Sequence, residues 1–255
     1  LFSSGIPAIG KIGPLNFLGG TVWKPSNNLF GILPMILGSI YVTAGAIIIG
    51  VPIGIFMAVF MARFCPGSLY KILKPAVELL AGIPSIVYGF FGMEVLVPLL
   101  RNTFAVFNCK GNSMLAASIL LGIMILPTII GVSESAIRAV PNSYYEGSLA
   151  LGADHERSVF FAVLPAAKSG ILAGVVLGIG RAIGETMAVI MVAGNQPAMA
   201  HSIFKGVRTM TANVVIEMGY ATGIHREALI ATGVVLFVFI LLINLLFSVI
   251  KRREK

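Results

Sequence analysis

Five stretches of this 255-residue chain are apolar enough and long enough to cross a lipid bilayer, and that feature settles most of what the chain can fold into. A spanning helix needs about 20 predominantly apolar residues. Within hydrocarbon every backbone N–H and C=O must find a partner in the protein, so only helices and closed barrels are viable. A barrel shows alternating strands of about ten residues, a pattern missing here. With 57% hydrophobic and only 11% charged residues, the chain is expected to be an all-α, multi-pass transmembrane helical bundle.

Residues 1–31 hold Gly, Pro, Asn and the single tryptophan. They read as an external segment with Trp23 as an interfacial anchor, and residues 32–255 as the transmembrane domain. A first span covers residues 33–62, with a bend expected at Pro52, and Arg63, Lys71 and Lys74 follow in a short loop. A second covers 75–100, where Gly82 and Pro84 should interrupt helical hydrogen bonding. Glu78 in this span is a candidate for substrate contact, or else an interfacial residue within reach of Lys74 one turn away. The third span, 114–136, carries Ser118, Pro127, Thr128 and Ser133, and the fourth runs over 166–193. A long loop, 194–226, includes a short amphipathic piece near 213–218 and leads to the fifth span, 227–250.

The net charge of +8 is scattered through loops beside apolar spans rather than gathered in a stripe, which argues for membrane topology and against a nucleic-acid partner. One side takes Arg63, Lys71, Lys74, Arg138, Arg157, Lys168, Lys251, Arg252, Arg253 and Lys255, and the other takes Lys11, Lys24, Arg101, Lys110, Lys205, Arg208 and Arg226. This bias puts the loop at 139–165 and the C-terminus in the cytoplasm and Leu1 outside, consistent with one further helix before Leu1. Cys65 and Cys109, separated by a whole span, are expected on opposite sides and unpaired. His155, His201 and His225 fall in three different loops and read as solvated side chains.

The fourth span is unusual in carrying opposite charges. At about 100° per residue, Gly170, Gly174, Gly178, Arg181, Glu185 and Ala188 share one face, and Leu172, Val175, Ile179, Ile183 and Ile190 the other. Small residues at i and i+4 let a neighbouring backbone approach, while the bulky face suits lipid. An arginine at mid-bilayer costs about 3 kcal/mol on insertion scales, so Arg181 and Glu185 are either a functional site or an i, i+4 structural ion pair.

No P-loop or dinucleotide fingerprint, HExxH, CxxC or GxSxG is present, so the chain is expected to be no enzyme and to bind no cofactor or metal of its own. The loop before the fourth span has a recognisable spacing: Glu146-Gly147-Ser148, then Gly152, then Leu164-Pro165. It resembles the EAA motif of bacterial ABC importer permeases, with Gly147 and Ser148 for the two alanines and Ala162 for the isoleucine. The segment suits a short helix, with Asn142 or Ser143 as cap, Glu146 in the first turn and Gly152 as terminator. Two further stretches, ELLAGIPSIVYGFFG at 78–92 and GRAIGETMAVIMVAGN at 180–195, look like the phosphate-specific permeases, the second more like the PstC-type than the PstA-type subunit.

That resemblance implies a type I importer half in the bacterial cytoplasmic (inner) membrane, with six helices of which five are visible. It implies pairing with a PstA-like permease and delivery of phosphate by a PstS-like binding protein. It also implies a PstB-like ATPase dimer, which holds the ATP and magnesium and docks on Glu146, Gly147, Ser148, Gly152, Leu164 and Pro165. Arg181 and Glu185 match charged positions associated with the phosphate pathway. A rigid turn at Pro165 is expected to pass ATPase movement to the fourth span. The rival readings are a permease for sulfate or molybdate, or a passive channel or structural membrane subunit.

Overall fold

The computed structural model describes residues 2–107 and 109–253, with Phe107 and 247–253 in backbone only. The expectations resting on Leu1, on Lys255 and on the side chains of Lys251, Arg252 and Arg253 lie outside the described residues. The described chain is overwhelmingly helical. Two short helices, α1 (Phe2–Ile12) and α2 (Pro14–Gly19), precede a two-residue hairpin of β1 (Trp23–Lys24) and β2 (Leu29–Phe30), paired antiparallel with Trp23 opposite Phe30. Then follow α3 (Leu33–Val59), α4 (Gly67–Gly82), α5 (Ser85–Phe91), α6 (Val97–Thr103), α7 (Met114–Arg138), α8 (Asn142–Ala150) and α9 (His155–Ser158). The chain ends with α10 (Leu164–Gly184), α11 (Met187–Val192), α12 (Met210–Met218) and α13 (Gly223–Arg253).

Four continuous stretches, Leu33–Phe64, Met114–Arg138, His155–Gly184 and Gly223–Leu246, are long and apolar enough to cross a membrane. The fifth span is broken: Gly67–Gly82 and Ser85–Thr103 are bent by 97° at the Gly82–Pro84 break. That break falls where the sequence places it, because Pro84 cannot donate and holds the preceding residue out of the helical region. Lys71 and Lys74, expected in a loop, lie inside α4.

Three wide, π-type turns precede prolines. Cys65 N–H donates to Phe60 O before Pro66, Val97 to Gly92 O before Pro98, and Leu164 to Val159 O before Pro165. A proline ring crowds the carbonyl four residues back, and an i→i−5 bond widens the turn where that crowding occurs. At Pro165 the helix therefore continues unbroken from His155 to Gly184 through this wide turn, and the chain makes no separate turn at the proline. The same span stops at Gly184 rather than at residue 193, with Glu185 and Thr186 outside any helix.

The chain divides into two compact units, residues 1–46, 84–121 and 182–243, and residues 47–83, 122–181 and 244–255. In the first unit α1, α2 and the hairpin pack on α12 and α13 around Phe17, Trp23, Phe30, Ile32, Met35, Met210 and Leu229. Trp23 is thus a core residue at 5% exposure, not a belt anchor. The expected helical piece near 213–218 exists as α12, capped by Thr209, whose hydroxyl accepts from the Ala212 N–H.

In the second unit α7 lies between two glycine-bearing helices. A Cβ on Gly50 of α3 would sit 2.8 Å from the Gly122 carbonyl oxygen, and one on Gly54 2.8 Å from Ile129. On the other side, Gly174 of α10 would meet Ser133 at 3.0 Å and Gly178 would meet Ile129 at 2.9 Å. The small face of α10 does admit a neighbour, as its spacing implies. The bulky face is not uniformly outward: Ile179 and Ile183 are buried, and Leu177 is the exposed residue. Both cysteines are free.

Because the Gly122 carbonyl is backbone and cannot rotate away, Gly50→Leu should destabilise the protein by about 1–3 kcal/mol. A lowered melting temperature in detergent is the expected result, and an unchanged one would refute the close α3–α7 approach.

Candidate functional site

The loop with the recognisable spacing folds into a helix with no buried residue. Pro141 occupies its N-cap position without a side-chain bond, so neither Asn142 nor Ser143 caps it, and Glu146 lies beyond the first turn. Gly147 has nothing within 4 Å of a Cβ position. The end of the helix follows the sequence expectation closely. Gly152 takes φ 88°, its N–H donates to Leu149 O at 2.9 Å, and Ala153 N–H donates to Ser148 O at 3.2 Å. This pair of bonds is a Schellman closure, which favours glycine at the left-handed position.

The chain then restarts at Asp154, whose carboxylate accepts the Arg157 N–H at 2.7 Å. Ser148 Oγ accepts from Ser158 Oγ at 3.0 Å, and the Tyr145 hydroxyl meets His155 Nδ1 at 2.8 Å, so α8 is tied to the root of the spanning helix. Leu151 (92% exposed) and Phe161 (77%) point away from the protein, while Leu164 packs against the core beneath them. The result is a surface helix tied at its foot to the spanning helix, with Tyr144 and Leu149 exposed along it.

Arg181, half-buried near the end of α10, donates from Nη1 to the Thr128 hydroxyl of α7 at 3.4 Å. No ion pair joins it to a carboxylate among the described residues. Glu185 lies past the helix end, and its Oε1 accepts the Ala188 N–H at the start of α11, 3.2 Å away. The i, i+4 staple considered from the sequence requires an unbroken helix, which stops at Gly184. The Glu185 carbonyl accepts from the Thr211 hydroxyl at 3.1 Å, compensating the break. Glu78 is exposed and stands 4.0 Å from Lys74, the neighbour one turn away that its spacing in the sequence offers.

Two buried carboxylates escaped sequence reasoning. Glu134, in the second unit, is 1% exposed and accepts from Tyr70 at 2.7 Å, Lys74 at 2.8 Å and Arg138 at 2.8 Å. The Arg138 guanidinium also stacks 4.5 Å from the Tyr70 ring centre. Its i, i+4 spacing from Arg138 inside an apolar span was the available signal. Glu217, in the first unit, accepts from Arg208, from Trp23 Nε1 at 2.8 Å and contacts His225 Nε2 at 2.8 Å. Arg208 further donates to Asn195 O at 3.0 Å and Asn213 Oδ1 at 3.0 Å. His225 is accordingly a half-buried network member rather than a solvated loop side chain. These partners lie far apart in sequence, and no local pattern announces them.

The exposed helix, the broken spans and the helical bundle together define an ABC importer permease fold. A chain of the MetNI methionine ABC transporter in an inward-facing conformation superposes with a TM-score of 0.70 at 20% identity, over 92% of this chain and 100% of that one. Residues 50–255 match the family described as binding-protein-dependent transport system inner membrane component, and the chain belongs to that family. It is 40% identical over 248 residues to a probable ABC transporter permease protein, YqgH, of Bacillus subtilis, spanning 94% of this chain and 80% of that protein. It is 36% identical over 261 residues to the phosphate transport system permease protein PstC of Mesorhizobium japonicum, spanning 95% and 80%.

The Arg208–Glu217 pair has side chains only 12% and 7% exposed, against 58% and 38% for Lys11–Glu227. Arg208→Met, which strands a buried carboxylate, should cost about 3–5 kcal/mol, and Lys11→Met less than about 1 kcal/mol. Comparing the two melting temperatures in detergent checks this, and equal shifts would count against it.

Proposed function

We propose that the chain is the PstC-like permease half of an importer that moves inorganic phosphate into the cell, with ATP hydrolysed by a separate subunit. The observation that carries the reading is the surface helix α8, which buries no residue and whose EAA-type spacing ends in the Schellman closure at Gly152. A passive channel has no use for such a docking helix. The relatives named as phosphate permeases supply the substrate.

In this reading a PstB-like ATPase dimer, carrying ATP and magnesium, seats α8 through Glu146, Gly147 and Ser148. A PstA-like permease completes the path, and a PstS-like binding protein delivers phosphate from outside. The C-terminus and α8 face the cytoplasm. Because α9 and α10 form one helix through Leu164 and Pro165, α8 movement reaches Arg181 along a rigid rod.

Arg181 offers a planar fork of donors that stays charged, of which the Thr128 contact uses one nitrogen. Passing phosphate takes the others. Glu185, at the helix break, sets a negative charge on the same segment, which limits the cost of a lone cation and keeps the anion exchangeable. Glu78 takes the interfacial role that its contact with Lys74 supports.

In vesicles holding the chain with its partners, ATP-dependent uptake of labelled phosphate should resist sulfate competition and vanish in Arg181→Ala. Uptake that is insensitive to the substitution would remove Arg181 from the path, and transport of sulfate instead would replace the substrate. Arg181→Lys keeps the charge but not the fork, and should lower uptake about tenfold. Gly152→Leu forces a side chain into the left-handed region at a cost of about 1–2 kcal/mol and should uncouple hydrolysis from uptake. Normal coupling in that variant would count against α8 as the docking element.

A further inference from the structure

The end of α7 that leads into α8 is joined to two other helices through one carboxylate and two arginines. Glu134 stands one turn before the last residue of α7, and four positions after Arg138 the chain enters α8. Its carboxylate takes the Tyr70 hydroxyl and the Lys74 ammonium from α4 and the Arg138 guanidinium from its own helix. Arg138 reaches on to the Met61 carbonyl at the end of the α3 span, 2.8 Å away, and Arg63 from that same end donates back to the Ile137 carbonyl at 3.2 Å. Each helix end thus has one of its carbonyls bonded by the other helix's arginine.

A buried carboxylate with this many charged donors is an expensive way to hold three helices together. Apolar packing of similar volume is often as stable or more so, and the neighbouring contacts of Met61, Val77 and Ile130 already supply such packing. What the carboxylate adds is direction. Hydrogen bonds from α4 fix its axial position against α7, whereas apolar contacts in a membrane resist sliding weakly. Ten residues beyond Lys74 along the chain lies Pro84, where the broken span turns.

We propose that Glu134 is a positioning residue for transport, which locks α4 to α7 at Tyr70 and Lys74 so that displacement of α8 is passed to the broken span as well as to α10. The proposal rests on the reading of α8 as the ATPase-docking helix. A carboxylate that merely supports folding has no influence on how much phosphate is moved per ATP; a linkage element does.

The test uses Lys74→Gln and Tyr70→Phe in the reconstituted importer, because both cut the α4 contacts while Arg138 still compensates Glu134. Phosphate uptake and ATP hydrolysis are measured together, with Gly152→Leu alongside. The expected result for Lys74→Gln is an assembled complex that hydrolyses ATP at close to the normal rate and moves about tenfold less phosphate per ATP, within the usual range of coupling effects. Tyr70→Phe should give a smaller loss in the same ratio. An unchanged ratio in both variants, or uptake and hydrolysis falling in parallel, overturns the proposal, as does failure of both variants to assemble. If Gly152→Leu also leaves the ratio unchanged, the docking role of α8 itself is what has failed.

Discussion

The close approach of α3 and α10 to α7 is the constraint on which the second unit depends. Helices in lipid gain little from burying apolar surface against one another, so their association rests on packing contacts made at short range. Gly50 and Gly54 on one partner and Gly174 and Gly178 on the other let backbone and short side chains meet α7 at distances that a Cβ would forbid. Of the four continuous spans α7 is the most enclosed, 61% of its apolar window being buried against 28% for His155–Gly184. The organising helix is therefore α7, although the charged fourth span draws the eye in the sequence.

In both units charge is placed deep without being solvated. Glu134 and Glu217 are each almost wholly buried, and each is tolerated because several donors converge on its two oxygens. Arg181 is arranged differently. It is half-buried, has a hydroxyl for company and keeps donors unengaged. Lys74 by contrast is engaged by a buried carboxylate, so the two cations differ in how far their donors are committed among the described residues.

The span positions, the Gly82–Pro84 break, the small face of α10 and the glycine end of α8 were legible because each follows from local backbone chemistry. The unread parts are those where partners come from afar. Trp23 and Glu217 are 194 positions apart, and Glu134 meets Tyr70 across 64. An isolated tryptophan near a membrane reads as an anchor until its indole N–H is seen to have a buried acceptor. The stop at Gly184 was missed because apolar periodicity continues across it. Only the carboxylate of Glu185 turning to the Ala188 N–H, and the Thr211 hydroxyl taking the Glu185 carbonyl, reveal the interruption.

Two breaks thus interrupt the spans, one at Gly82–Pro84 and one at Glu185–Thr186. The half-helices that follow them, α5 and α11, pack on each other in the first unit. A Cβ at Gly89 would lie 3.2 Å from the Ala188 Cα, and Gly92 packs as tightly on Val192. Non-helical backbone at membrane depth is tolerated only where protein or a water-filled cavity lines it. The half-helix after each break is covered by the half-helix after the other, so the backbone beyond both breaks is lined by protein. Glycine at the contact makes that cover close, because a Cβ at Gly89 or Gly92 would collide with the facing helix.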